Sequence, residues 1–147
     1  MYKKIMVPLD GSKLSEQALS HMKTISIGCS ISEITLLMVV RPIDNSELIA
    51  NLGIERVQEI ESQESKSAES YITQVAGSLK EDGISAQTAV LRGNPAQKIL
   101  EYINENQIDL VIMSSHGHSG PSSWDLGNVA DRIIKHSTVP VLIVRTG

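Results

Sequence analysis

The chain has 147 residues, 41% of them hydrophobic and 20% charged, with a formal net charge of -4. That length suits one domain, spanning 1–147, with a core large enough to need no disulfide or metal staple. It carries no apolar run of the ~18 residues a membrane span requires, and no cluster of Lys and Arg such as a nucleic-acid surface would show. The five apolar positions between Lys4 and Asp10 are too few for the hydrophobic stretch of a leader, so the expectation is a cytoplasmic protein with no membrane and no nucleic acid among its partners.

The single cysteine, Cys29, stands among small and apolar residues and reads as a packed, inert thiol. With no Phe, one Trp and three Tyr, the core falls to Ile, Leu, Val and Met. Branched aliphatic runs of this kind build parallel strands covered on both faces.

Lys4 to Leu9 is nearly all apolar and stops at Asp10-Gly11-Ser12, which reads as a buried strand. Leu14, Ala18, Met22 and Ile25 then recur at helical spacing behind Ser12 as N-cap, giving a helix from about Ser12 to Ile27 with Gly28 as its stop. Ile34 to Val40 is a second strand, left through Pro42, Asp44 and Asn45 into a connection whose structure the pattern does not define. A long helix follows, with Ile60, Ala68, Tyr71, Ile72, Val75 and Leu79 on one side and a run of glutamates outside; Gly83 would close it in the left-handed conformation.

Ile84 to Leu91 alternates and reads as a strand with one face or one end exposed. Asn94-Pro95-Ala96-Gln97 carries a capping box, with Asn94 as N-cap, Pro95 at N1 and Gln97 at N3, before a helix burying Ile99, Leu100 and Ile103. Ile108 to Met113 is a fourth strand, followed by a glycine-rich loop and a helix whose apolar positions are Val129, Ile133 and Ile134. Lys135 and His136 suit the negative end of that helix. Thr138 to Val144 is the last strand. Five strands alternating with four helices imply an α/β fold, an open five-stranded parallel sheet with helices on both faces in a Rossmann-like arrangement.

Ligands on such sheets sit beyond the carboxyl ends of the strands. Asp10, Val39, Gly93 and Ser114 to Gly117 fall at those ends, and a glycine loop leading into a helix N-terminus suits an anion. The loop lacks the patterns of a P-loop, a dinucleotide fingerprint and a nucleophile elbow. His116 and His118 have no second ligand pair at metal spacing, so no metal site is assigned to them. No general base with an oriented nucleophile is visible, so no catalytic residue is assigned.

Lys4 to Ser12, Leu37-Met38-Val39, Gly93-Asn94-Pro95, Ser115-His116-Gly117-His118-Ser119-Gly120 and His136 to Val144 together resemble the universal stress protein family, in order and over essentially the whole chain. The resemblance implies an adenine nucleotide alpha hydrolase-like fold, a homodimer, and in one branch of the family an adenine nucleotide: ATP, or ADP or AMP in its place, with Mg2+ as the ion that would accompany the phosphates. The binding branch carries G-x-x-G, nine residues, then G followed by Ser or Thr. Ser114, Gly117, Gly127 and Asn128 occupy those four positions, so the first and last depart.

Carried over by position, Asp10 would accept from the ribose or organise a phosphate-bound metal, its alternative role being a turn residue that caps the first helix. Val39 would line the adenine pocket, bordered by Gly93 to Pro95. Ser115, His116, Gly117, His118 and Ser119 would hold the phosphates with Gly127 and Asn128. Pro8 and Leu9 before Asp10, Met113 before Ser114 and Val129 after Asn128 complete the set. Asn128 keeps a donor in place of a hydroxyl. Ser114 leaves two readings open: a glycine-only backbone there would make its Cβ cost roughly 1–2 kcal/mol, whereas a serine in the β region would add a hydroxyl.

The last strand, with Val139, Val141 and Ile143, would pair across a two-fold axis to form the dimer. The functional expectation is a nucleotide-binding regulatory protein. A dimeric module without nucleotide, and a slow Mg-dependent ATPase using Asp10, are the alternatives.

Overall fold

The computed structural model describes residues 2–116 and 126–145. Five strands, β1 (Lys4–Leu9), β2 (Glu33–Val40), β3 (Gln87–Arg92), β4 (Leu110–Ser114) and β5 (Val141–Val144), form one parallel sheet in the order β3-β2-β1-β4-β5. The order reverses between β1 and β4, which puts their carboxyl ends at the switch point where open α/β sheets bind ligands. Among the described residues the helices are α1 (Lys13–Glu16), α2 (Ala18–Cys29), α3 (Ser46–Leu52), α4 (Ile54–Glu81), α5 (Pro95–Glu105) and α6 (Leu126–His136).

Because side chains alternate along a strand, the apolar runs feed two cores. Ile5, Val7, Leu9, Leu36, Met38 and Ile112 pack with Ala18 and Met22 of α2 and Ala68, Ile72 and Leu79 of α4. Met6, Leu37, Val39, Val111 and Met113 pack on the other face with Ala96, Ile99 and Ile103 of α5 and Val129, Ala130 and Ile133 of α6. The central strands β1, β2 and β4 are buried almost throughout, whereas β3 and β5 are edge strands with partly exposed residues.

Several local readings change. The helix expected over Ser12 to Ile27 is two helices divided at Gln17, and Gly28 lies inside the second. The stop is Ser30, left-handed at φ +55, with the Ile31 N–H donating to the Ser26 carbonyl. Cys29 is exposed rather than packed, as is the whole end of that helix from Ile27 to Ser30.

The undefined connection holds α3, whose N-cap Asn45 accepts from the Leu48 N–H through Oδ1. β3 begins three residues later than expected; Ile84 is buried, but the chain joins β2 only from Gln87. Ile134, expected in the core, is 56% exposed. Gly83 does take φ +84 after α4.

Candidate functional site

Above the carboxyl ends of β1, β2 and β3 opens a cleft of about 1770 Å³, larger than the roughly 300–1,000 Å³ of ordinary small-molecule pockets. Its floor is Met38 and Val39 at the end of β2. One wall is the β2 exit, Val40 to Pro42 with Asp44; the other is the first half of α4, from Glu55 to Tyr71. Asp10 and Gly11 close one end, Gly93 and Asn94 the other. Exposed polar and charged side chains of α4 rim the cleft, so it suits a polar ligand with an apolar, planar portion.

Asp10 is held by its own turn. Its Oδ1 accepts from the Ser12 N–H at 2.8 Å and from the Ser12 hydroxyl at 2.5 Å, while the Ser12 Oγ accepts from the Ser15 N–H at the start of α1. The Ser15 hydroxyl in turn sits 3.3 Å from the Asp10 N–H. Asp10 thus organises the start of the first helix, as the turn reading required, and its half-buried carboxylate still lines the cleft.

Ser114, fully buried, ends β4 in register with Val144. Its hydroxyl donates to the carbonyl of Leu14 at 2.8 Å and lies 3.2 Å from that of Ser15. Of the two readings of Ser114, the strand conformation is the one observed. The residue needs no positive φ, and its hydroxyl ties the sheet to α1 instead of serving the loop beyond it.

Beyond Ser114, Ser115 donates its N–H to the Val144 carbonyl and its hydroxyl lies 3.2 Å from His116 Nδ1; His116 is exposed. Gly117, His118 and Ser119 lie outside the described residues. Gly127 belongs to the first turn of α6, Asn128 is exposed there, and Val129 is buried beneath. Pro8, Leu9 and Met113 are buried in β1 and β4, and Pro95 at the start of α5, none of them lining the cleft. Asn94 does line it, and its Oδ1 caps α5 through the Gln97 N–H at 3.0 Å. The Gln97 amide turns forward to Glu101, 3.1 Å away.

Gly93, at φ +148, has Lys98 folded over it: a Cβ there would lie 2.7 Å from Lys98 Cε.

Two cleft residues, Tyr71 and Arg41, carried no sequence motif. Tyr71, half-buried, donates its hydroxyl to Glu16 Oε2 at 2.6 Å. Burial first, then the Glu16 carboxylate, push its phenol pKa up. The only signal for Arg41 was its position just past a strand end, and Tyr71, inside α4, had none.

Among the described residues no group of three His, Cys, Asp or Glu could hold a metal ion, and no helix is long and apolar enough to cross a membrane.

The family model for the universal stress protein family matches residues 1–145. The chain belongs to the universal stress protein family. It is 32% identical to a universal stress protein of Methanocaldococcus jannaschii over 145 residues, 99% of this chain and 83% of that one. It is 30% identical to universal stress protein YxiE of Bacillus subtilis, over 99% of this chain and all of the other. Among solved structures, a second Methanocaldococcus jannaschii protein superposes with a TM-score of 0.82 at 28% identity, covering 100% of this chain and 98% of that one.

A universal stress family protein of Arabidopsis thaliana with AMP bound shares the fold, with a TM-score of 0.68 at 18% identity, over 99% of this chain and 92% of that one. The open parallel sheet flanked on both faces is therefore the universal stress fold, and the cleft lies at the carboxyl ends of its strands.

Proposed function

We propose that this universal stress protein binds an adenine nucleotide in the cleft as a regulatory ligand, with ATP as the first candidate and ADP or AMP as the others. The observation that carries the reading is the pairing of an oriented carboxylate, Asp10, with an apolar floor, Met38 and Val39, in one cleft over the carboxyl ends of β1 and β2. A carboxylate held by its turn accepts from ribose hydroxyls without having to be ordered first. Val39 and the backbone of Val40 and Arg41 would meet the base, and Gly93 and Asn94 would border it. Ser115, His116 and the first turn of α6 at Gly127 and Asn128 would take the phosphates, helped by the positive pole of that helix. Relatives of the same fold support this: one has AMP bound and another is in complex with cAMP.

Besides Asp10, the carboxylates of Asp44, Glu55, Glu59 and Glu64 line the cleft, but among the described residues no three of them come together as a metal cluster. Mg2+ would enter with the phosphates, and its chemistry there would be charge neutralisation.

The reading extends to a single domain acting as a homodimer in the cytoplasm. The last strand, expected from Thr138, begins only at Val141, so Val139 precedes it; β5 is an edge strand with Val141 and Ile143 half-exposed and Leu142 36% exposed, and a second copy would satisfy that edge. An exposed free thiol at Cys29 suits a reducing compartment, and the net charge of -4 suits a protein that does not hold nucleic acid.

The test is to heat-denature the purified protein, assay the supernatant for released nucleotide, and titrate ATP, ADP and AMP with Mg2+ by calorimetry. Release or saturable binding is expected; no release and no binding up to millimolar ligand would end the proposal. Light scattering at micromolar protein should give twice the chain mass, and a monomeric mass would remove the dimer from it.

A further inference from the structure

Arg92, the last residue of β3, belongs to none of the motifs above, yet its guanidinium touches both sides of the cleft. Nη1 donates to the Arg41 carbonyl of the β2 exit at 3.2 Å. Nη2 donates to the Glu61 carbonyl and the Ser65 hydroxyl of α4, at 2.5 Å and 2.7 Å. Glu61 closes the ring, its Oε2 accepting from the Ile43 N–H at 3.1 Å and lying 3.4 Å from Arg92 Nη1. We infer that Arg92, with Glu61, is a positioning residue for base recognition: the pair ties the β2 exit to α4 and so sets the distance between the two walls of the cleft. The inference rests on the nucleotide reading of that cleft.

The geometry favours a positioning role over a direct one. Neither Arg92 nor Glu61 lines the cleft, although Arg41 and Pro42 on one side and Ser62 and Glu64 on the other do. The pair is partly shielded, with the side chains 27% and 23% exposed, so its hydrogen bonds are less diluted by water than those of a surface ion pair. Glu64, 3.9 Å away and about half exposed, adds little.

Only a planar fork can reach the Arg41 carbonyl with one arm and α4 with the other; a lysine is a single point of donation and would keep one side at most. The neighbouring Gly93 N–H donates to the Val40 carbonyl at 3.0 Å, so the residue after Arg92 fixes the same exit segment from the sheet side. If these bonds were lost, the polar ties between the β2 exit and α4 would go, leaving the packing of β2 on α4 and the connection that carries α3. The backbone that would read the base edge would then be free to shift.

Arg92→Gln, Arg92→Lys and Glu61→Gln in the full chain test the role, with adenosine, guanosine, ATP and GTP as ligands and amide hydrogen exchange as a second readout. In Arg92→Gln the preference for adenosine over guanosine should fall about ten-fold, the scale of one lost charge-assisted hydrogen bond. ATP should weaken by the same factor as adenosine, because the arginine does not act on phosphate. Glu61→Gln should move the same way, Arg92→Lys should not restore the wild-type preference, and the Ile43 amide should exchange faster in all three.

Unchanged base preference in variants that remain folded, or a loss confined to ATP, would overturn the inference. If Arg92→Gln fails to fold, Arg92→Lys and Glu61→Gln decide it by the same two readouts. A wild-type protein that binds none of the four ligands would instead remove the nucleotide reading, and the inference with it.

Discussion

Ser114→Ala isolates a single hydroxyl whose surroundings are fully defined. The Oγ is buried and donates to the carbonyls that end α1, at 2.8 Å to Leu14 and 3.2 Å to Ser15. Deleting it leaves no large void, and the Leu14 carbonyl keeps the Gln17 N–H at 3.2 Å. The cost is therefore that of one ordinary hydrogen bond, ~1 kcal/mol, rather than that of an orphaned buried acceptor. Ser114→Gly should add ~0.5–1 kcal/mol for glycine inside a strand. For a chain of this size each kcal/mol moves the melting temperature by roughly 2–4 °C, so calorimetry should rank wild type, Ala and Gly in descending order. The same variants speak to binding. With Ser114 in the strand and no positive φ there, a glycine relieves no strain, so Ser114→Gly should not tighten ATP binding. An alanine variant as stable as wild type, or a glycine variant binding ATP ten-fold more tightly, would refute this account of Ser114.

Three further outcomes follow from the geometry. Tyr71→Phe should lose ~1 kcal/mol by removing the bond to Glu16. Because the folded-state phenol is pushed above its unfolded value, the stability tied to it is complete below pH ~10 and drains away as pH rises further; denaturant midpoints measured from pH 8 to 11 should fall less in the variant than in wild type. Asp109, whose Oδ2 accepts from the Lys3 and Lys4 N–H groups at 2.8 and 2.9 Å, has its carboxyl held low by those bonds. A depressed pKa means its contribution is complete above pH ~4 and lost as pH falls through the folded-state value, so acid titration of Asp109→Asn should be flatter than that of wild type below pH 4. Gly93→Ala should cost ~1–3 kcal/mol, since φ +148 is a glycine conformation and the new Cβ must displace Lys98; an unchanged melting temperature would show that the β3 exit relaxes freely.

What could be read before the fold was known followed from periodicity and local chemistry. The five strands announced themselves as aliphatic runs, and Ser12 and Asn94 cap helices as their sequence pattern implied, whereas Asn45, read only as the exit of β2, proved to cap the unforeseen α3. The α1–α2 division did not show, because its cause is distant: the Leu14 and Ser15 carbonyls are taken up by Ser114, about a hundred residues away. Ile134 shares its helix with Ile133, and only the direction of packing against β4 and β5 decides which of the two is buried. Gly28 suggested a helix end, but an exposed glycine costs too little to terminate a helix, and Ser30 took the left-handed turn instead.

In the cleft, Asp10 was legible as a turn residue, because a carboxylate two places before an N-cap serine takes the Ser12 N–H and hydroxyl. Arg92 was not, because its partners at 41, 61 and 65 meet only in three dimensions.

The short α1 turn is gripped from three directions: by the Asp10 turn through Ser12, by β4 through Ser114, and by α4 through Glu16 and Tyr71. Its boundary with α2 at Gln17 then acts as a mechanical fuse. The outer part of α2, exposed from Ile27 to Ser30, can fray or be remodelled by whatever meets that surface, and the disturbance stops before it reaches Asp10. The two ends of this helical segment are thus held unequally, one gripped beside the cleft and the other open to solvent.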